Sequence, residues 1–265
     1  MLDDDSSVPA GPRRPREWSR ALRALRGLLA NPDDTMLAFE IFDAIDRDVE
    51  ERAFQRFRRD PIGRRLLAAR SSLAARLSDR AALAALPAGS FGRAYLAYLD
   101  ANRFDPLGLL HLKTGLEARI RARGEGRPRL DAAREWFRER SILTHDLWHV
   151  LTGYGTDDLG EAALLPFSLA QSGGWANALL VAGVTLRGVT VAGPSFPRYL
   201  FQAWRRGRRA HWLAALPYEE LLPAPLADVQ RIAGIPAADE AHPRGIRRGT
   251  WTRLRPSGFA AERPA

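Results

Sequence analysis

The stretch Thr144-His145-Asp146-Leu147-Trp148-His149-Val150-Leu151-Thr152-Gly153 and its continuation Tyr154-Gly155-Thr156-Asp157-Asp158-Leu159-Gly160-Glu161 decide how this chain reads. On a helix, His145 and His149 stand four residues apart on one face, and Asp146 borders that face. Gly153 and Gly155 punctuate the chain, and Thr156-Asp157-Asp158 offers cap residues for a new helix running toward Phe167. The spacing therefore predicts a long helix over residues 131–152, a tight return, and a shorter helix over 158–172. Glu161 would then face back as a fourth ligand beside His145, Asp146 and His149.

Two imidazoles and two carboxylates suit a divalent transition ion. Zinc and ferrous iron both fit, because imidazole binds either metal and carboxylate oxygens complete the shell. The competing bland reading is a surface helix with two chance histidines and a Glu161 placed where the helix macrodipole favours an acid.

Read with its neighbours, the segment Thr144 to Gly153 followed by Gly160-Glu161 resembles the signature of the coenzyme Q biosynthesis family known by its fourth numbered member. Leu86-Pro87-Ala88-Gly89-Ser90-Phe91-Gly92-Arg93-Ala94-Tyr95 is similar to a second block of that family, Leu-Pro-x-Gly-(Ser/Thr)-x-Gly-x-x-Tyr, and Gly63 to Arg70 and Leu226 to Ile235 fit more loosely. The resemblance spans about residues 32 to 236. It implies a mainly helical protein at a membrane that binds zinc or a similar ion through His145, Asp146, His149 and Glu161. It also implies action on a polyprenylated ubiquinone precursor: loss of the ring carboxyl at C1, with or without hydroxylation there. Other ubiquinone-biosynthesis enzymes and a second copy in a homodimer are expected partners. The chain departs from the pattern at Ile142-Leu143, where many relatives carry Arg-Glu, and at Ser172-Gly173-Gly174-Trp175, which replaces a Gly-Leu-Pro segment.

Composition narrows the alternatives. Cysteine is absent, which excludes disulfides, thiolate metal sites and a thiol nucleophile. The formal charge of +9 comes almost wholly from arginine, Lys113 being the only lysine. That points to an anionic surface or phosphate, although an Arg-, Ala- and Leu-rich chain is also what a GC-rich genome encodes. The arginines are dispersed rather than gathered around interleaved aromatics, and no nucleic-acid-binding signature accompanies them, so nucleic acid is not an expected partner. A His-Asp metal phosphohydrolase would recruit His111 and leave His149 and Glu161 without a role. A zincin protease would place Glu, not Asp146, directly after the first histidine. A nonenzymatic alternative survives: a scaffold that binds a prenyl lipid and organises pathway enzymes, with the metal bracing two helices.

The expected architecture is all-α, one helical domain over residues 17–236 with the metal site between two adjacent helices. Residues 1–16 read as disordered and 237–265 as an irregular basic tail. Trp18, Leu22, Leu25 and Leu29 form a stripe that could lie on a bilayer or pack on the domain. Phe42, Ile45, Val49, Ala53 and Phe57 mark one face of a run from Asn31 to Pro61, and 64–77, 79–86 and 198–216 read as further helices. The glycine- and valine-rich section 173–193 suits close helix packing, an isoprenoid tunnel, or a strand. Asn177 and Arg187 interrupt its apolar run, which falls short of the roughly 20 apolar residues of a span. The Met1-Leu2-Asp3-Asp4-Asp5 start is acidic where a targeting segment should be basic or acid-poor, and the expected location is the cytoplasmic face of a bacterial inner membrane.

Overall fold

The computed structural model describes residues 15–32, 34–122, 124 and 130–250. Most of the expected disordered start, residues 123 and 125–129, and the end of the expected tail lie outside these residues. Among the described residues the fold is all helical: there is no strand, and a single isolated bridge pairs Ser90 with Pro225.

The helices in chain order are α1 (Trp18–Ala30), α2 (Thr35–Ile45), α3 (Arg47–Arg59), α4 (Pro61–Ala69), α5 (Leu73–Ser78), α6 (Arg80–Ala85), α7 (Phe91–Asn102) and α8 (Gly108–Ala122). After them come α9 (Ala132–Thr152), α10 (Asp158–Ser172), α11 (Trp175–Ala192), α12 (Phe196–Arg209), and three short pieces, α13 (Tyr218–Leu221), α14 (Leu226–Ile232) and α15 (Ala238–Ala241).

The expected helices over 131–152 and 158–172 form because each has a side-chain cap. Asp131 accepts hydrogen bonds from the Ala133 and Arg134 amides at 3.0 and 2.9 Å, and Asp157 from the Leu159 and Gly160 amides, both at 3.2 Å. The main core gathers α7, α9, α10 and α12 around Tyr95, Leu147, Phe167 and Tyr218, all fully buried. At the crossing of α10 and α12, Gly207 lies against the Phe167 carbonyl, so the two backbones approach as closely as a missing side chain allows. Gln171 locks the crossing, its amide donating to the Gly207 carbonyl at 2.7 Å and its oxygen accepting from the Leu213 amide at 2.9 Å. A second core joins α1, α2 and α11 through Ala21, Ile41, Ile45, Ala176 and Leu180, and a third packs Phe54, Phe57 and Phe137 between α3 and α9.

Several expectations change: the helix expected over 64–77 breaks at Arg70, which takes the left-handed conformation, and the one expected over 198–216 ends at Arg209. The run from Asn31 to Pro61 is two helices, broken at Asp46, and Pro61 starts the next helix instead of merely stopping one: Asp60 caps it through the Ile62 and Gly63 amides. Within the section 173–193, Trp175–Ala192 form a helix, not a strand, because the small residues let α11 pack closely, with Leu25 of α1 seated on Gly183. That helix is also long and apolar enough, by length and composition, to cross a membrane. Its one charge, Arg187, turns back onto the Leu29 carbonyl. The α1 stripe divides likewise: Leu25 packs half-buried on the second core, whereas Trp18 and Leu22 remain 40% and 50% exposed.

The start of the expected tail is ordered against the domain. Residues 238–241 are helical, His242 is buried, and Ile246 packs on the main core.

Candidate metal centre

Helix α9 carries His145, Asp146 and His149 on neighbouring positions of its last turns, and the first turn of α10 carries Glu161. Gly153 makes the return possible. It takes the left-handed conformation at φ 71°, which a side chain would disfavour, and its amide donates to the His149 carbonyl at 2.8 Å.

This return brings one donor atom each from His145, His149 and Glu161 within 4.8 Å of one another. The rings of His145 and His149 meet edge to face with centroids 4.9 Å apart. The His149 side chain is fully buried, whereas His145 and Glu161 keep 41% and 45% of theirs accessible. The group therefore has a closed rear and an open front.

The tautomer of His149 follows from its surroundings. Nδ1 lies 3.1 Å from the Tyr154 carbonyl, which can only accept, so Nδ1 carries the proton and Nε2 presents a lone pair. Nε2 sits 3.2 Å from Glu161 Oε1, an ion pair only when the ring is protonated, and this buried nitrogen has no other polar partner. Burial is the largest single influence on the pKa of His149 and lowers it, but the charges of Glu161 and Asp146 together with the contacts to Glu161 and the Tyr154 carbonyl outweigh it, and the net direction is up. For Glu161, burial raises the pKa and the charges of His149 and His145 bring it below the ordinary carboxylate value. A buried imidazole nitrogen with a fixed tautomer, a second imidazole and a carboxylate, all opening to one side, fit a divalent ion such as zinc or ferrous iron.

Asp146 stands beside this group rather than in it. Its Oδ1 accepts from the Tyr98 hydroxyl at 3.3 Å and lies 3.4 Å from His145 Nδ1, so in this arrangement it orients a donor and an aromatic wall. Tyr98 was not singled out by sequence spacing, yet it stacks on the His149 ring at 5.8 Å with 22° between planes and meets Phe104 edge to face. Its own sign in the sequence is only the step of three from Tyr95, which reads as core. His111 is exposed and paired with Asp105 at 3.2 Å, outside the cluster.

Fold and site together define a helical protein with a candidate divalent-cation centre at a helix return. The chain belongs to the family described as coenzyme Q (ubiquinone) biosynthesis protein Coq4, which matches residues 21–110 and 131–239. The mitochondrial ubiquinone biosynthesis protein COQ4 homologue of Bos taurus is 29% identical over 182 residues, 67% of this chain and 62% of the relative. The Homo sapiens homologue is 28% identical over 193 residues, 71% and 66% respectively. The matched stretch is thus less than two thirds of either relative's length. A solved chain from Nostoc punctiforme PCC 73102, to which a ubiquinone-biosynthesis role has been ascribed, shares the fold at a TM-score of 0.56 and 19% identity, covering 84% of this chain and 100% of that one.

Proposed function

We propose that the chain is a metal-dependent lyase of ubiquinone biosynthesis that removes the C1 carboxyl of a polyprenylated hydroxybenzoate. It would work on the cytoplasmic face of a bacterial inner membrane beside other enzymes of the pathway. The observation that carries this reading is the group of His145, His149 and Glu161 with its buried rear and accessible front, in a chain of the Coq4 family. A bound zinc or ferrous ion would supply Lewis acidity toward the ring hydroxyl or carboxylate. The residues of the chain would do the rest: Tyr98 and Phe104 offer an aromatic wall for the ring, and Asp146 holds both Tyr98 and His145 in place.

In the simple reaction the bond from C1 to the carboxylate breaks, carbon dioxide leaves, the electron pair stays on C1 and a proton takes its place. In the oxidative version dioxygen takes up two electrons and leaves as hydrogen peroxide, water supplies the hydroxyl at C1, and the carboxyl leaves as carbon dioxide. A membrane surface as partner is supported by the exposed apolar residues Trp18 and Leu22 on α1 and Trp175, Leu186 and Val189 on α11, beside exposed Arg23 and Arg26. The same face suits the second reading, a prenyl-lipid scaffold with a bracing metal. Incubating the purified protein with a synthetic prenylated hydroxybenzoate, with and without oxygen, separates the two. The lyase reading expects a decarboxylated product and its loss on chelation. Metal-replete, folded protein that binds the compound and leaves it intact in both atmospheres supports the scaffold.

A further inference from the structure

The family match ends at residue 239, but the chain beyond it is fastened to the very return that joins α9 to α10. Two separate points of attachment are present. His242 and Tyr154 are each 1% exposed, and the Tyr154 hydroxyl lies 2.8 Å from His242 Nε2. The other ring nitrogen, Nδ1, lies 3.3 Å from Gln202 Oε1, which can only accept. Nδ1 therefore carries a proton, and with burial and the Arg206 charge holding the ring neutral, Nε2 accepts the Tyr154 hydroxyl. Further along, the Gly249 amide donates to Asp157 Oδ1 at 2.8 Å, and the Leu159 amide donates to the Gly249 carbonyl at 3.3 Å. Between these points Ile246 packs on the main core, and Arg247 anchors on Ser195 at 2.6 Å.

Each attachment leads to one half of the candidate site. Tyr154 is the residue whose carbonyl receives the His149 Nδ1 proton, so the torsion of its peptide sets where His149 Nε2 points. Its ring is gripped by His242 on one side, and the Arg206 guanidinium sits 5.3 Å from its centroid. Arg206 in turn donates to the carbonyls of Thr152 at 2.6 Å and Pro236 at 2.9 Å, linking the end of α9 to the stretch that leads into this segment. Asp157 caps α10 one turn before Glu161, and the Gly249 amide shares its carboxylate oxygen. A metal site gains affinity when the partners of its ligands are held, because the ligands then lose little freedom on binding.

We propose that residues 242–250 are a brace that positions His149 and Glu161 through Tyr154 and Asp157, with His242 as the principal positioning residue. Its bearing on function rests on the metal-site reading above, whereas its bearing on the return does not. The test uses full-length protein with Tyr154→Phe, His242→Ala and the conservative His242→Gln, with Arg209→Ala as a control at an exposed pair with Glu240. Amide hydrogen exchange in chelator-treated protein reads the return without any metal. Exchange over residues 150–161 should quicken in Tyr154→Phe and His242→Ala while α1 and α2 stay as in the native protein. Titration with zinc and cobalt, followed by competition and by the visible cobalt spectrum, should show the dissociation constant rising by about ten- to a hundredfold. His242→Gln should recover much of the loss, and Arg209→Ala should show none.

Unchanged exchange and unchanged cobalt spectra in folded Tyr154→Phe and His242→Ala would overturn the brace. If the native protein takes up neither metal, the metal-site reading fails, and quickened exchange confined to the return still supports the brace. If His242→Ala melts as a whole, Tyr154→Phe, which loses one hydroxyl, decides the matter.

Discussion

The Asp46 carboxylate receives the Trp175 amide at 2.7 Å and the adjacent Ala176 amide at 2.8 Å, closing the N-terminus of a helix that starts 129 residues later. Helix α11 has Gly174 at its cap position and hence no side chain of its own to satisfy those amides. The break between α2 and α3 is what frees Asp46 for the task. Asp46→Ala should cost about 1–2 kcal/mol in urea denaturation, the loss typical of a cap. An unchanged midpoint would show that the helix end is satisfied otherwise.

The crossing of α10 and α12 tolerates no side chain at Gly207. A Cβ there would stand 2.6 Å from the Phe167 carbonyl oxygen and 3.0 Å from the Ala170 side chain. Gly207→Ala should therefore destabilise by about 1–3 kcal/mol as the helices are forced apart. Gly115 in α8 has nothing within 4 Å, so Gly115→Ala should be neutral or stabilising by up to about 1 kcal/mol. Equal melting temperatures for the two variants would contradict the close packing.

His242 gives the fold a sensitivity to acid. Burial and then the charge of Arg206 lower its pKa from the ordinary 6.5 to about 4, with Tyr154, Tyr199 and Gln202 as its other neighbours. A depressed folded-state pKa means that stability is complete above the unfolded value and is lost as the pH falls from about 6.5 through about 4. The loss attributable to this group is on the order of 3 kcal/mol, given about 1.4 kcal/mol per tenfold change in proton affinity. Melting metal-free protein across this range should show a steeper decline for the native chain than for His242→Gln. Parallel curves would mean that His242 is already protonated in the fold.

The apolar face of α1 and α11 predicts how the protein meets lipid. Leu186 is 73% exposed and lies on the same face of α11 as Trp175 and Val189. Native protein should float with vesicles, more so when they contain anionic lipid and less so at high salt. Leu186→Glu should reduce flotation on neutral and anionic vesicles alike. Retention of full binding by that variant would move the contact elsewhere.

What the sequence discloses here is local. Helices α9 and α10 are legible because Asp131 and Asp157 stand at their starts and Gly153 at the end of the first, all within one turn of the residues they serve. The break at Asp46 is not, because its cause is a pair of amides far along the chain. Helix α11 invites a strand reading through its valines and threonines, and only the surfaces of α1, α2, α10 and α12 decide in favour of a helix. At the site, His145, His149 and Glu161 are found by spacing, whereas Tyr98 is invisible to it, since its partner Asp146 belongs to another helix. The place of Asp146 beside the donor group follows from where its side chain points, which spacing along α9 leaves open.

His145, His149 and Glu161 are proposed to hold one divalent ion between them. The most direct test is stoichiometric zinc and cobalt titration of chelator-treated protein, native and with His149→Ala, Glu161→Gln or Asp146→Asn. One equivalent should bind to the native protein, none stoichiometrically to folded His149→Ala or Glu161→Gln, and binding should be weakened but retained in Asp146→Asn. Native protein that takes up no ion, or equal affinity in native protein and folded His149→Ala, would contradict that proposal.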